Sequence, residues 1–310
     1  MKYVDSLRRL GRSSSLRKVR DHYLVRNFRA GIGELLSERI TKVAFFVAVF
    51  VLLLGIFGPM VAPYDYDAQQ YDESGELERL ESPSVSHPLG TTERGKDVLS
   101  RVLYGARPTV IIGLLGGGTM LTIGATVGIT AGYVGGVVES ALMRFTDFVY
   151  GIPFIPFAIV LLTFFETGFY TAILVIGLIL WRAIARILRS QVLQLKERQY
   201  IMAAKTSGAS TPRIIAKHII PNVASMAALF FAMGIGLAIL KQAGLAFLGM
   251  TDPFLPAWGT MIRNAYDSGL ASEAWWWTLS PGAMISITVL SVYLIGRGYE
   301  ATGGQDAELG

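Results

Sequence analysis

The segment with the spacing of a nucleotide-binding loop runs from Gly90 to Lys96. Its sequence, Gly90-Thr91-Thr92-Glu93-Arg94-Gly95-Lys96, fits the GxxxxGK pattern that holds phosphates. Such a loop also needs a serine or threonine after the lysine to bind Mg²⁺, and it lies between a strand and a helix. Here Asp97 follows the lysine, and no hydrophobic strand precedes the first glycine. We therefore predict no nucleotide site in this chain, so any ATP that drives the protein must be hydrolysed by another chain.

Residues for other catalytic or metal chemistry are sparse. The chain has no cysteine, which excludes disulfides, thiol catalysis and thiolate metal sites. Its three histidines, His22, His87 and His218, are far apart in the sequence, whereas a histidine-rich metal centre needs them together. We therefore predict no catalytic residue, no metal site and no cofactor on this chain, and we expect the protein not to be an enzyme.

The composition of the 310 residues predicts a membrane protein. Hydrophobic residues make up 52% of the chain and charged residues only 16%. Soluble domains carry about 25% charged residues. Because so few polar side chains cannot cover the surface, part of that surface must face lipid. This excludes a soluble enzyme, a disordered chain and a nucleic-acid-binding domain as the main function class.

Apolar segments long enough to cross about 30 Å of hydrocarbon as helices occur six times. They are residues 43–62, 108–131, 148–165, 167–181, 219–240 and 274–296. The sequence therefore predicts an all-α integral membrane protein with six transmembrane helices and both termini on one side. Trp275, Trp276 and Trp277 stand at the start of the sixth span, where aromatic side chains often form a belt at the membrane surface.

The positions of lysine and arginine predict the orientation of these spans. Twenty-one of the 28 lie on the side of the termini and seven on the other side. Because positive residues are retained in the cytoplasm, both termini are predicted there, and the net charge of +5 reflects topology. The predicted division is a basic cytoplasmic segment (1–42), a first transmembrane helix (43–62), an extracytoplasmic loop (63–107), a five-helix core (108–296) containing a cytoplasmic loop (190–218), and a cytoplasmic tail (297–310).

Three glycines, Gly124 and Gly128 in the second span and Gly132 just after it, are spaced four residues apart. At that spacing they share one helix face and let another helix approach closely. The partner is either another helix of this chain, as in ordinary membrane-helix packing, or a helix of a second, similar subunit.

Two pairs of residues around the third span are candidates for a gate or a pathway. Arg144 and Asp147 are three residues apart at its cytoplasmic start, so they can pair on one helical face. They form either an ion pair that fixes the helix end or part of an inner gate. Pro153 and Pro156 interrupt the span, and broken helices in membranes usually line a cavity.

The cytoplasmic segment between the fourth and fifth spans has the pattern of two short helices. Residues 201–206 are predicted to be helical, and Gly208 can end that helix. Pro212 suits the first turn of the next helix, with Thr211 as its N-cap. Such a pair of helices at the membrane surface can dock in a cleft of another protein. The alternative is a basic linker held by anionic lipids.

At this segment the chain resembles the membrane subunits of binding-protein-dependent ABC importers. Their hallmark loop reads EAA, three residues, Gly, nine residues, then I-x-L-P. Ala203, Ala204, Gly208 and Pro221 fall in register with that pattern. The chain departs from it at three positions, which are Met202 for Glu, His218 for Ile and Ile220 for Leu.

Three other segments resemble the C-type permease of the dipeptide/oligopeptide branch. The stretch from His87 to Arg107 is similar to HPLGTD-x-x-GRDVLSR-x-x-YGAR, departing at Thr92 and Lys96. The run from Gly132 to Asp147 resembles GY-x-GG…D…MR…D, with Glu139 for Asp. Residues 245–259 resemble LSFLG…PSWG. In this resemblance the GxxxxGK segment is a subfamily loop.

The resemblance implies a type I ABC importer permease in the cell membrane that moves dipeptides or oligopeptides. Its implied partners are a second homologous permease, two cytoplasmic ATPases that carry ATP and Mg²⁺, and an extracytoplasmic substrate-binding protein, all beside membrane lipid and without nucleic acid. The residues of the implied ATPase-coupling loop are Ala203, Ala204, Lys205, Gly208, Ala209 and Pro221. The alternative is a secondary transporter driven by an ion gradient, which would want membrane-buried carboxylates and usually an internal repeat. The sequence has neither.

Overall fold

The computed structural model describes residues 38–165, 167–252 and 254–303, and side chains as far as residue 298. Most of the basic segment predicted at 1–42 and the second half of the tail predicted at 297–310 lie outside the described residues. The described part is helical, with three isolated β-bridges between residues 69 and 97. The predicted all-α class is therefore confirmed.

The helices follow one another along the chain with short connections, except for the long segment before the second. They are α1 Arg39–Val61, α2 Val98–Val134, α3 Gly136–Tyr150, α4 Phe154–Phe164, α5 Phe169–Leu180, α6 Arg182–Lys196, α7 Gln199–Thr206, α8 Thr211–Ile214, α9 Ile220–Phe247, α10 Trp258–Asp267 and α11 Trp275–Gly303, with a π-helical turn at Ile215–Ile219 between α8 and α9.

Four helical runs are long and apolar enough to cross a membrane. They are α1, α2, the run Thr211–Phe247 and the first part of α11. Helix α2 begins at Val98, well before the span predicted at 108, because Asp97 accepts a hydrogen bond from the Ser100 N–H and caps it. With 37 residues, α2 is about 56 Å long and extends past the hydrocarbon layer.

The third and fourth predicted spans are bent pairs of helices. Helices α3 and α4 meet at 91°, and α5 and α6 meet at 42°. The first bend falls at Pro153, the N-cap of α4, whereas Pro156 lies in the first turn of α4, where no backbone donor is needed. By length and composition the described residues therefore hold four candidate spans, or up to six if each bent pair counts as one.

Helix α2 is the central element of the fold. Glycines at its contacts let neighbouring helices approach closely, since a Cβ at Gly117 would lie 2.9 Å from the Ile235 backbone of α9. On the α1 side, a Cβ at Gly58 would lie 2.3 Å from the Leu103 carbonyl. One apolar cluster joins α4 to α9 around Ile176 and Leu188, and a second surrounds Trp258 near the start of α2.

Candidate functional site

The loop around α7 joins the end of α6 to the start of α9. We call residues 197–219 the α7 loop. Its apolar side chains Ile201, Ile214 and Ile219 are at most 2% exposed and belong to the cluster that includes α6 and α9. The opposite face of α7 is open, with Met202 47% exposed and Lys205 also exposed. One face of α7 is thus packed against the body of the protein, and its other face is exposed.

The end of α7 is a tightly bonded turn. Gly208 has φ +80°, its N–H donates to the Lys205 carbonyl at 3.0 Å, and the Ala209 N–H donates to the Ala204 carbonyl at 3.1 Å. These two bonds form the Schellman pattern, which uses glycine because other residues are strained at positive φ. The helix therefore ends at the glycine, as the sequence predicts.

The second short helix of the loop differs slightly from its prediction. Helix α8 begins at Thr211 itself, so the N-cap is Ser210 and the predicted N-cap at Thr211 is wrong. The helix widens to a π turn before Pro221, which has no N–H to donate, and the Ile220 N–H bonds to the Ile215 carbonyl. Through this turn the α7 loop continues without a break into the long helix α9.

A groove lies beside α7, and the first part of the α7 loop lines it together with the ends of α2 and α6. It has a volume of about 550 Å³ and lies between Tyr133 at the end of α2, Lys196 and Glu197 at the end of α6, and Met202 and Lys205 of α7. The groove and the open face of α7 together form one continuous surface with both charged and apolar groups.

The three spaced glycines of α2 lie against α6. A Cβ at Gly124 would be 2.7 Å from Ile184, one at Gly128 would be 2.5 Å from the Ala185 carbonyl, and one at Gly132 would be 2.8 Å from Val192. Of the two partners that the sequence leaves open, the structure has a helix of the same chain on this face.

The gate candidates at the start of the third span are arranged differently from the sequence prediction. Asp147 accepts a hydrogen bond from Arg186 of α6 at 2.6 Å, and the predicted pairing with Arg144 is wrong. The reason is that α3 packs along α6, which brings a second helix of arginines to the carboxylates of α3. Arg189 likewise donates from Nε to Glu139 at 2.7 Å.

Arg182 connects the bend between α3 and α4 to the bend between α5 and α6. Its Nη1 donates to the Val149 carbonyl at 3.1 Å and to the Ile179 carbonyl at 3.2 Å. Pro153 has no N–H for the Val149 carbonyl, so the arginine supplies a donor where the helix breaks. The guanidinium also lies 4.8 Å from the centre of the Tyr150 ring. These contacts fix α6, which leads directly into the α7 loop, to the bend between α3 and α4.

The segment between α1 and α2, residues 62–97, is organised around a buried histidine. When protonated, His87 donates from Nδ1 to Asp97 and from Nε2 to Glu78, each at 2.8 Å. Burial disfavours its charge, but these two carboxylates outweigh burial and raise the pKa of the His87 imidazole. Asp97 also caps α2, so the histidine links this segment to the central helix.

The GxxxxGK segment belongs to the same folded unit. Lys96 pairs with Asp67, and Gly90 and Gly95 have φ near +65°, which suits the turns of the loop. A Cβ at Gly90 would lie 2.5 Å from the Glu81 carbonyl and 2.6 Å from Trp276. The pattern therefore reflects loop packing. Among residues that the structure describes, no group of three His, Cys, Asp or Glu side chains is placed to hold a metal ion.

A model of the family of binding-protein-dependent transport system inner membrane components matches residues 124–300. That is more than half of the chain. The chain belongs to this family. A second model, the N-terminal TM domain of oligopeptide transport permease C, matches residues 34–83. The family description and the apolar helices agree with a multi-pass membrane protein.

Relatives of this family member cover most of its length. It is 32% identical over 85% of its length to the dipeptide transport system permease protein DppC of Bacillus subtilis, of which the match covers 81%. It is 32% identical to the oligopeptide transport system permease protein OppC of the same organism, over 84% of each chain. It is 30% identical to the glutathione transport system permease protein GsiD of Pectobacterium atrosepticum, over 94% of this chain and 95% of that one. The resemblance to the C-type permeases is thereby confirmed.

Four buried residues around the start of α2, which are Trp258, Trp276, Trp277 and Arg101, were not predicted from the sequence. Trp276 donates to the Thr91 carbonyl at 3.1 Å, and Trp258 donates to the Val102 carbonyl at 2.9 Å. Trp276 and Trp277 are 7% and 5% exposed, so the prediction of an interfacial belt is wrong for both, and only Trp275 is exposed. Arg101 is buried beside them. The one sequence signal for the burial of Arg101 is a charged residue three positions after the first residue of an apolar helix.

Proposed function

We propose that this chain is the transmembrane permease subunit of an ATP-driven, binding-protein-dependent importer of dipeptides or oligopeptides. The observation that carries the proposal is the α7 loop, whose three buried isoleucines fix it to α6 and α9 while its other face stays open. A helix held in this way can transmit a push from a docked protein into two membrane helices. The names of the relatives supply the substrate class.

The proposed topology has six spans, with each bent pair counted as one, and both termini in the cytoplasm. The split of 21 to 7 basic residues supports this orientation. In it, the α7 loop and residues 1–42 face the cytoplasm, and the segment of residues 62–97 faces outward. The core is residues 108–296, and the tail is residues 297–310.

The proposed partners follow from this arrangement. A second, homologous permease completes the pathway, two ATPases bind the α7 loops, and an extracytoplasmic protein delivers the substrate. ATP and Mg²⁺ belong to the ATPases. The coupling residues on this chain are Ala203, Ala204, Lys205, Gly208, Ala209 and Pro221.

The proposed mechanism runs through the contacts of α6. A movement of α7 displaces α6, because the two helices are separated by only two residues. The glycine face of α2 and the arginines that bind α3 then carry the displacement to the bend at Pro153. Arg144, Asp147, Pro153 and Pro156 are the proposed gate, since they flank this bend and a bent span can change its angle more easily than a straight one.

The test is reconstitution into lipid vesicles with the second permease, the two ATPases and the binding protein. The proposal predicts uptake of a labelled dipeptide that requires every partner chain. It also requires ATP on the side of the membrane where the ATPases bind. The purified chain alone is expected to hydrolyse no ATP. Uptake by this chain alone, driven by an ion gradient without ATP, would establish the secondary transporter instead.

A further inference from the structure

A pocket of about 470 Å³ lies at the end of the molecule away from the α7 loop, between residues 62–97 and α10. Its lining includes Tyr66, Phe254 and Asn264 and the side chains of Arg101 and Trp277, which begin α2 and α11. In the proposed topology this pocket opens to the outside. None of the gate or coupling residues lines it.

Two residues that line this pocket each carry a buried N–H donor that has no acceptor among the described residues. Arg101 is 7% exposed, and its Nη1 donates to the Tyr66 carbonyl at 3.0 Å, but its Nε has no partner among the described residues. Trp277 is 5% exposed, and its Nε1 also has no partner there. Buried donors are rarely left unpaired, because each loses its bonds to water. Both donors lie just behind the wall of the cavity, so a small shift of either side chain would bring its N–H to an acceptor from outside the chain.

The other charged groups of the pocket are largely neutralised. Lys96 pairs with Asp67, and Asp267 accepts a hydrogen bond from Arg263 at 2.9 Å. Each of these carboxylates therefore already has a cationic partner other than Arg101. Asp67 attracts Arg101 electrostatically but makes no ion pair with it within 4 Å.

Arg94 and Glu93 complete the charged lining and are exposed. Three cationic and three anionic side chains line the pocket in all. A balanced lining suits a ligand that carries one negative and one positive charge better than it suits a dianion such as phosphate.

We propose that this pocket binds the free carboxylate of a short peptide. A carboxylate offers only acceptors, so its two oxygens can accept from the Nε–H of Arg101 and the indole N–H of Trp277 once these buried groups turn toward the pocket. The exposed Glu93 and the partly neutralised Asp267 are available to the peptide ammonium group. This inference rests on the proposed import of peptides and adds a binding step on the permease itself.

The test measures binding of alanylalanine by calorimetry to the membrane complex in lipid nanodiscs, purified without its extracytoplasmic binding protein. The comparison ligands are alanylalanine amide and inorganic phosphate. The variants are Arg101→Gln and Trp277→Phe, and the control is Arg107→Gln, an exposed arginine on the same helix outside the pocket.

The expected result is binding of alanylalanine that falls about 10- to 100-fold in Arg101→Gln and about 2- to 10-fold in Trp277→Phe, as loss of a charged and a neutral hydrogen bond predicts. The amide is expected to bind at least about 10-fold more weakly to the unaltered protein, and Arg107→Gln to bind normally. If Arg101→Gln does not fold, Trp277→Phe and the amide comparison decide the matter.

Four results would overturn the inference: no binding of alanylalanine, equal binding of the amide, unchanged binding by folded Arg101→Gln, or displacement of the dipeptide by an equal concentration of phosphate. Uptake assays on the same complex with the binding protein restored separate the two proposals. Uptake without binding in nanodiscs refutes the pocket alone, whereas absence of uptake of any peptide refutes the proposed function.

Discussion

Replacing Gly208 by alanine tests whether the geometry of the α7 loop matters for coupling. The residue has φ +80°, and a Cβ built on it meets nothing within 4 Å, so the substitution adds backbone strain without a clash. A non-glycine residue in the left-handed region costs about 1–2 kcal/mol. If that strain is relieved by unwinding the end of α7, the docking-competent loop becomes about 5- to 30-fold less populated.

The matched control is Gly75→Ala in the segment between α1 and α2. Gly75 has φ +82° and also has nothing within 4 Å of its Cβ position, so the two substitutions carry the same strain at opposite ends of the molecule. Gly208→Asn is a second comparison, since asparagine tolerates this region better than alanine does.

The assay is ATP-dependent uptake of a labelled dipeptide by the reconstituted complex, with the amount of bound ATPase measured in parallel. We expect Gly208→Ala to lower both, Gly208→Asn to be intermediate, and Gly75→Ala to transport normally. The reasoning is refuted if Gly208→Ala transports as well as Gly75→Ala while both are inserted in equal amounts.

Three further predictions concern packing, pH and charge. Gly128→Ala should destabilise the protein by about 1–3 kcal/mol in thermal unfolding, because its Cβ would lie 2.5 Å from a backbone carbonyl of α6, whereas Gly244→Ala, with nothing within 4 Å, should not. The raised pKa of His87 means that its contribution to stability is complete below its unfolded pKa near 6.5 and is lost as pH rises through its folded pKa. Hydrogen exchange in residues 78–100 should therefore quicken as pH rises beyond the intrinsic effect, and His87→Gln should remove that excess. Arg189→Gln should cost about 1 kcal/mol in thermal unfolding by leaving Glu139 unpaired, and Arg144→Gln, which breaks no described ion pair, should cost less.

Hydropathy was sufficient to locate the long membrane helices but not the bends. To within one residue, each of the apolar segments at 43–62, 108–131, 219–240 and 274–296 falls within a single helical run, because a span of that length can satisfy its backbone only as a helix. The 91° bend at Pro153 depends on which of two prolines breaks the chain. Pro153 is the N-cap of α4 and Pro156 lies in its first turn, and hydropathy does not distinguish these two positions.

Local backbone rules predicted the α7 loop well. Glycine at the end of a short helix and proline at the start of the next are properties of neighbouring residues, so they can be seen in sequence. The ion pairs were predicted less well. Arg144 lies near Asp147 in sequence, but Arg186 reaches that carboxylate from another helix at a separation of 39 residues.

The pocket between residues 62–97 and α10 could not be predicted, because its walls come from three distant parts of the chain. Arg101, Asn264 and Trp277 are brought together only by the packing of α2, α10 and α11. The tryptophans there looked like membrane anchors, since an aromatic cluster at the start of an apolar span is typical of the membrane surface. Their burial follows from residues 62–97 folding over them, which the polar composition of that segment does not reveal.

The most direct test of the account is a cross-link from the open face of α7 to an ATPase. The chain has no cysteine of its own, so Lys205→Cys gives a single attachment point for a photoactivated cross-linker, and Val85→Cys, fully exposed in the segment between α1 and α2, gives the control. The account predicts that the cysteine at position 205 links to the ATPase subunit in the assembled complex and that the cysteine at position 85 does not. No link from position 205 in a complex that still contains the ATPases, or equal links from both positions, would contradict it.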